Sequence, residues 1–118
     1  MWNSVQLTVT AGTPQRIIPS GIVTPAKRLI ITPLAGGTVG LVYVVSVPAL
    51  PPDGVAAASV ARTANNTVAQ IGPATATIPG TPFRLNKIET DGDPIQVNEY
   101  EIDVGTSNTV VLCAWELP

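Results

Sequence analysis

The clearest pattern lies at the two ends of the chain. Val5, Leu7 and Val9 alternate with Gln6, Thr8 and Thr10. A period of two predicts a strand with one face buried and the other in water. Ala11-Gly12-Thr13-Pro14 closes it as a turn. Residues 15–18 predict a short strand, ended by Pro19-Ser20-Gly21. Residues 28–32 are rich in β-branched side chains and stop at Pro33, and a loop follows at 34–38. Residues 39–47 are apolar almost throughout and predict a strand buried on both faces. A further strand is expected at 81–85, after Pro79-Gly80, and Asp91-Gly92-Asp93-Pro94 predicts a turn. Residues 95–104 alternate with one slip of phase, which a bulge near 99–101 accounts for. Gly105-Thr106-Ser107-Asn108 predicts a hairpin turn into a closing strand at 109–115. Roughly seven or eight short strands with regular turns predict an all-β domain, an antiparallel β-sandwich or jelly-roll-like fold over residues 1–118.

Residues 48–77 break the pattern. They form a long Ala/Pro/Thr-rich insertion whose only charges are Asp53 and Arg62. A connection of that length predicts an extended arm or loop ordered by contact with a partner. Asp53 is placed to cap a short helix over 55–61, and 75–78 predicts a short strand.

Composition narrows the class. The 118 residues suit one domain that buries its own core. With 45% apolar and 12% charged residues and a mean hydropathy of +0.33, the chain is too apolar for disorder. No apolar run approaches the ~20 residues that span a bilayer, so no membrane partner is expected. Met1-Trp2-Asn3-Ser4 does not open a secretory leader, and the single Cys113 excludes an internal disulfide. Synthesis in the cytosol of a host is the expectation.

Charge is divided along the chain. All six basic residues and one acid, Asp53, fall in residues 1–87, a net of +5. The other seven acids fall in 88–118, a net of −7. Two readings stand: folding intermixes the halves, or copies meet head to tail, positive against negative. The second makes Lys27, Arg28, Asp91 and Asp93 candidate interface residues.

Catalytic chemistry is sparse. The absence of histidine removes the commonest general base and metal ligand. Cys113 sits in an apolar run and reads as a packing residue. Gly36-Gly37-Thr38-Val39-Gly40 lacks the Lys-Ser/Thr pair of a phosphate loop. Glu89, Asp91 and Asp93 are spaced to offer oxygen ligands, but the EF-hand pattern fails, and a solvated turn needs no metal. Five aromatics do not line a sugar-cleaving cleft, and the net charge of −2 disfavours nucleic acid. The chain is expected to be a non-enzymatic binding protein with no cofactor.

The order of features resembles small β-structured virion proteins of tailed bacteriophages. The likeness runs through Val5-Gln6-Leu7-Thr8-Val9-Thr10-Ala11-Gly12-Thr13-Pro14, the strands at 27–32 and 40–47, Ile78-Pro79-Gly80-Thr81-Pro82-Phe83-Arg84-Leu85, and the segment 101–112. Residues 48–77 depart from it. The resemblance implies a capsid decoration (cement) protein, a homotrimer that binds the major capsid protein or another virion protein and so resides in the virion. A tail, neck or baseplate subunit and a carbohydrate- or peptide-binding β-module are the alternatives.

Pairing of the terminal strands carries one more expectation. A register of residue 5 with 112 and 7 with 110 also sets Trp2 beside Trp115 on the outer face. There they would form an exposed aromatic anchor for a partner.

Overall fold

The computed structural model describes residues 1–34, 40–48, 61–72, 80–86 and 92–118. Among these residues ten strands follow in order: β1 (Trp2–Val9), β2 (Gln15–Arg16), β3 (Pro25–Ala26), β4 (Arg28–Pro33), β5 (Val42–Ser46), β6 (Thr67–Ile71), β7 (Phe83–Asn86), β8 (Ile95–Gln96), β9 (Tyr100–Val104) and β10 (Thr109–Glu116). Their pairing is nested. β1 pairs with β10, β2 with β9, β3 with β8, β4 with β7 and β5 with β6, each antiparallel. The chain is thus one long ribbon doubled back between β5 and β6. The ribbon then rolls up, so that β10 also pairs with β4 and β9 with β5. The result is two four-stranded sheets, β1-β10-β4-β7 and β2-β9-β5-β6, with the β3–β8 rung beside them. A rolled antiparallel ribbon in two sheets is the jelly-roll form of the β-sandwich.

Period-two alternation builds the core between the sheets. In β10, Thr109, Val111, Cys113 and Trp115 are buried while the residues between them are half-buried. Val5, Cys113, Ile31 and Phe83 form one inward row across the first sheet. Val42 and Val44 pair with Val104 and Ile102 in the second sheet. All belong to, or pack against, one apolar cluster. Each fully buried Val, Leu or Ile contributes roughly 1.5–3 kcal/mol.

Several expectations are revised. The phase slip before β9 is a 3-10 turn, Val97–Glu99, rather than a bulge. It lets the ribbon pass from the β3–β8 rung to the second sheet. A register shift does occur, but between Val44 and Val45 against β6. Residues 105–108 do not close a hairpin, because β9 and β10 belong to different sheets. They arch across the sandwich, with Asn108 at φ 67° and its N–H donating to the Val9 carbonyl. The arch sits so close to the entry of β5 that a Cβ on Gly40 would lie 2.8 Å from the Thr106 Cβ. Strand β6 falls inside the segment 48–77 expected to be an arm, and it is paired along β5. The helix expected at 55–61 and the strand at 75–78 lie almost wholly or wholly outside the described residues.

Candidate binding face

The outer face of the first sheet is assembled row by row from the register. Trp2, Glu116, Arg28 and Asn86 form one row, and Ser4, Ala114, Ile30 and Arg84 the next. Gln6, Leu112 and Thr32 follow. Down the middle runs a half-buried apolar stripe of Val110, Leu112, Ala114 and Ile30. At one end the side chains of Trp2, Arg28, Ile30, Arg84 and Asn86, with Leu85, line a groove of about 350 Å³. Trp2 is 46% exposed there. Sequence gives it no reason to be buried: its neighbours on the same face of β1 are Ser4, Gln6 and Thr8, all exposed.

Trp2 and Trp115 do not meet. The observed register sets Trp2 opposite Glu116 and Asn3 opposite Trp115, one residue from the expected pairing. A one-residue slip sends every side chain of a strand to the other face. The odd set of β10, with Val111, Cys113 and Trp115, offers more apolar bulk than the even set of Val110, Leu112 and Ala114. Burying it is the better solution. Trp115 is therefore core, 6% exposed, in a row with Leu29 and Leu85.

Of the other expected interface residues, Arg28 joins Trp2 in the groove. Lys27 lies beside it, and its ammonium faces the Glu116 carboxylate at 4.0 Å. Asp93 is exposed after Gly92, whose φ of +84° makes the turn. Asp91 lies outside the described residues. The structure does not bring Asp93 into this groove. Arg84, Asn86 and Ile30 were missed. The alternation Phe83-Arg84-Leu85-Asn86 marks Arg84 and Asn86 as outward, but only the β4–β7 pairing brings them to Arg28.

The second sheet treats its charges differently. Arg16, Glu101 and Val45 share an outer row, yet are 7%, 0% and 0% exposed. The Arg16 guanidinium donates to the Asn98 carbonyl at 3.1 Å and lies 3.9 Å from the Glu101 carboxylate. Arg62 stacks 3.7 Å over the Tyr43 ring and donates to Asp103 at 2.7 Å. Each pair joins a cation of residues 1–87 to an acid of residues 88–118, the first through the β2–β9 pairing and the second through the β5–β9 pairing. Folding thus intermixes much of the charge asymmetry within the chain.

Comparison with protein-family models, with curated proteins and with solved structures finds no match. Burial pushes the Cys113 thiol up to about 12, so it remains protonated near neutrality. Burial, and then the Glu99 charge, raise the Tyr100 hydroxyl. Among the described residues no group of three His, Cys, Asp or Glu is placed to hold a metal. What the first sheet offers is a contact surface: an exposed indole, an apolar stripe and two guanidinium groups.

Proposed function

We propose that this chain is a non-enzymatic structural protein of a virus particle, of the capsid-decoration type. It binds a virion protein through the outer face of the β1-β10-β4-β7 sheet. The observation that carries the binding role is that face: Trp2, 46% exposed, beside Arg28 and Arg84 and next to an apolar stripe. Exposed tryptophan and arginine are the side chains most often found at the energetic centre of protein interfaces. The virion assignment is supported by the sequence resemblance and by the rolled-ribbon topology, an architecture frequent in viral capsid and lectin domains. Fold alone carries no function, so the face has to bear the argument.

The test has two steps. The gene should lie among virion genes, and the chain should be found by mass spectrometry in purified particles of the virus that encodes it. Added to particles that lack it, the purified chain should sediment with them at a fixed stoichiometry. Its absence from particles removes the virion reading. A carbohydrate-binding module is the second reading, favoured by one observation: Trp2 and Asn86 line the same groove, a flat ring beside an amide.

A further inference from the structure

We propose that the groove between Trp2, Arg28 and Arg84 docks an acidic polypeptide segment of the partner, one that also bears aliphatic side chains. The inference rests on the protein-binding reading above and adds the chemistry of the partner. It starts from charge. Arg16 faces Glu101, Lys27 faces Glu116 and Arg62 meets Asp103. Arg28 and Arg84 are the two described basic side chains with no acidic partner among the described residues, and both line this groove.

The register places Arg28 opposite Asn86 and Arg84 opposite Ile30. The two arginines are therefore diagonal neighbours on one face, about 7–8 Å apart at that spacing. Glu116 lies opposite Arg28 on the other side, but Lys27 also faces its carboxylate. Among the described side chains, Lys27, Arg28 and Arg84 against Glu116 sum to +2 at this end of the face, on a chain whose net charge is −2. A carboxylate entering between the guanidinium groups relieves their mutual repulsion and accepts charge-assisted, bidentate hydrogen bonds. Trp2 and the half-buried Ile30 supply apolar contact beside it, and Ala114 and Leu112 extend that floor along the sheet. A sugar acid would meet the same arginines but only one aromatic wall. An aliphatic floor suits leucine-like side chains better, which favours a polypeptide.

The experiment titrates the full chain with an octapeptide of alternating glutamate and leucine. Its lysine–leucine counterpart and polygalacturonate serve as comparisons. Calorimetry gives affinity, and tryptophan emission reports on the exposed indole. The glutamate peptide should bind and should weaken with added salt. Arg28→Gln and Arg84→Gln should each weaken it about tenfold or more. Arg62→Gln, on the other sheet, should leave it unchanged. Arg84→Glu should shift preference toward the lysine peptide, a gain that a misfolded protein would not show. The proposal is overturned if the glutamate peptide does not bind, or if the glutamine variants bind it as wild type does. It is also overturned if polygalacturonate binds in preference. Failure here is separable from failure of the virion reading. Particles that load the glutamine variants normally would remove the groove alone. Peptide binding by a chain absent from particles would remove only the virion.

Discussion

Replacing each tryptophan by alanine separates a surface side chain from a core one within a single sheet. Trp115 is 6% exposed and packs in the row of Leu29 and Leu85, so Trp115→Ala opens a cavity between the sheets. Large-to-small changes of this kind cost ~3–5 kcal/mol. The indole Nε1 is buried with no hydrogen-bond partner among the described residues, so removing it forfeits no bond. That places the expected loss toward the lower end, ~3 kcal/mol. Against a total of about 5–15 kcal/mol this is a large fraction. At about 4 °C per kcal/mol, the melting temperature should fall by about 12 °C. Trp2 is 46% exposed on an edge strand, so Trp2→Ala should cost under about 1 kcal/mol. Urea unfolding followed by circular dichroism measures both. Fluorescence adds an internal check, because each variant keeps one tryptophan. Trp2→Ala should leave a blue emission that reddens on unfolding; Trp115→Ala should leave an emission already close to that of solvated indole. Equal destabilisation by the two substitutions, or a blue emission from Trp2 alone, would refute the register and the burial assigned to both strands.

Three further outcomes are expected, two from the same packing and the last, the oligomeric state, from the sequence resemblance to decoration proteins. Arg16→Met or Glu101→Leu alone strands a charge beneath the second sheet's surface and should cost ~3–5 kcal/mol, whereas the double variant should recover most of it; urea midpoints decide. The folded Cys113 thiol ionises near 12 against an ordinary 9.0, so its contribution is complete below about pH 9 and is lost as pH rises toward 12. Tyr100 adds to the same decline, so the decisive measurement is a shallower alkaline slope in Cys113→Ala than in wild type, along with no alkylation of native Cys113 at pH 8. The chain should sediment as a homotrimer; a monomer at every concentration and ionic strength removes self-association in solution.

The strands were legible where one face is apolar and the other polar. Val5, Leu7 and Val9 declared β1, and the branched run at 28–32 declared β4, because burial of one face writes period two directly into sequence. Register was not legible. In β10 both alternating sets are apolar, and the choice between them depends on how much bulk the facing sheet accepts, a tertiary quantity. β6 was missed because Thr67-Val68-Ala69-Gln70-Ile71 reads as more of the surrounding Ala/Thr-rich sequence; its partner β5 defines it. Local signals also cannot tell a hairpin from an arch. Gly105-Thr106-Ser107-Asn108 bends the chain in either case, and only the separate pairing of β9 and β10 decides. The groove was half legible. Trp2 and Arg28 stood out as residue types, whereas Arg84 reaches them through a strand pairing that spans more than fifty residues.

The nested and rolled ribbon also decides which charges meet. When strand pairs run β1 with β10 through β5 with β6, every early residue is laid against a late one. In the nested strands a cation meets an acid at one rung, Arg16 of β2 against Glu101 of β9. An opposite-charge pair on neighbouring strands favours the register that makes it. Arg16 with Glu101 is such a rung, β2 against β9, whereas Lys27 with Glu116 and Arg62 with Asp103 meet through the roll-up that lays β10 beside β4 and β9 beside β5. Arg28 and Arg84 gain no acid from nesting, because β4 pairs with β7 and both strands lie in the positive part of the chain, and Glu116, opposite Arg28 across the roll-up, faces Lys27. The two arginines are therefore left without an acid of their own among the described residues where β4 meets β7. That meeting place is the end of the sheet where Trp2 is exposed. The coincidence of exposed indole and residual positive charge is thus a product of topology, and it makes this end of the face the part of the molecule best suited to an acidic partner.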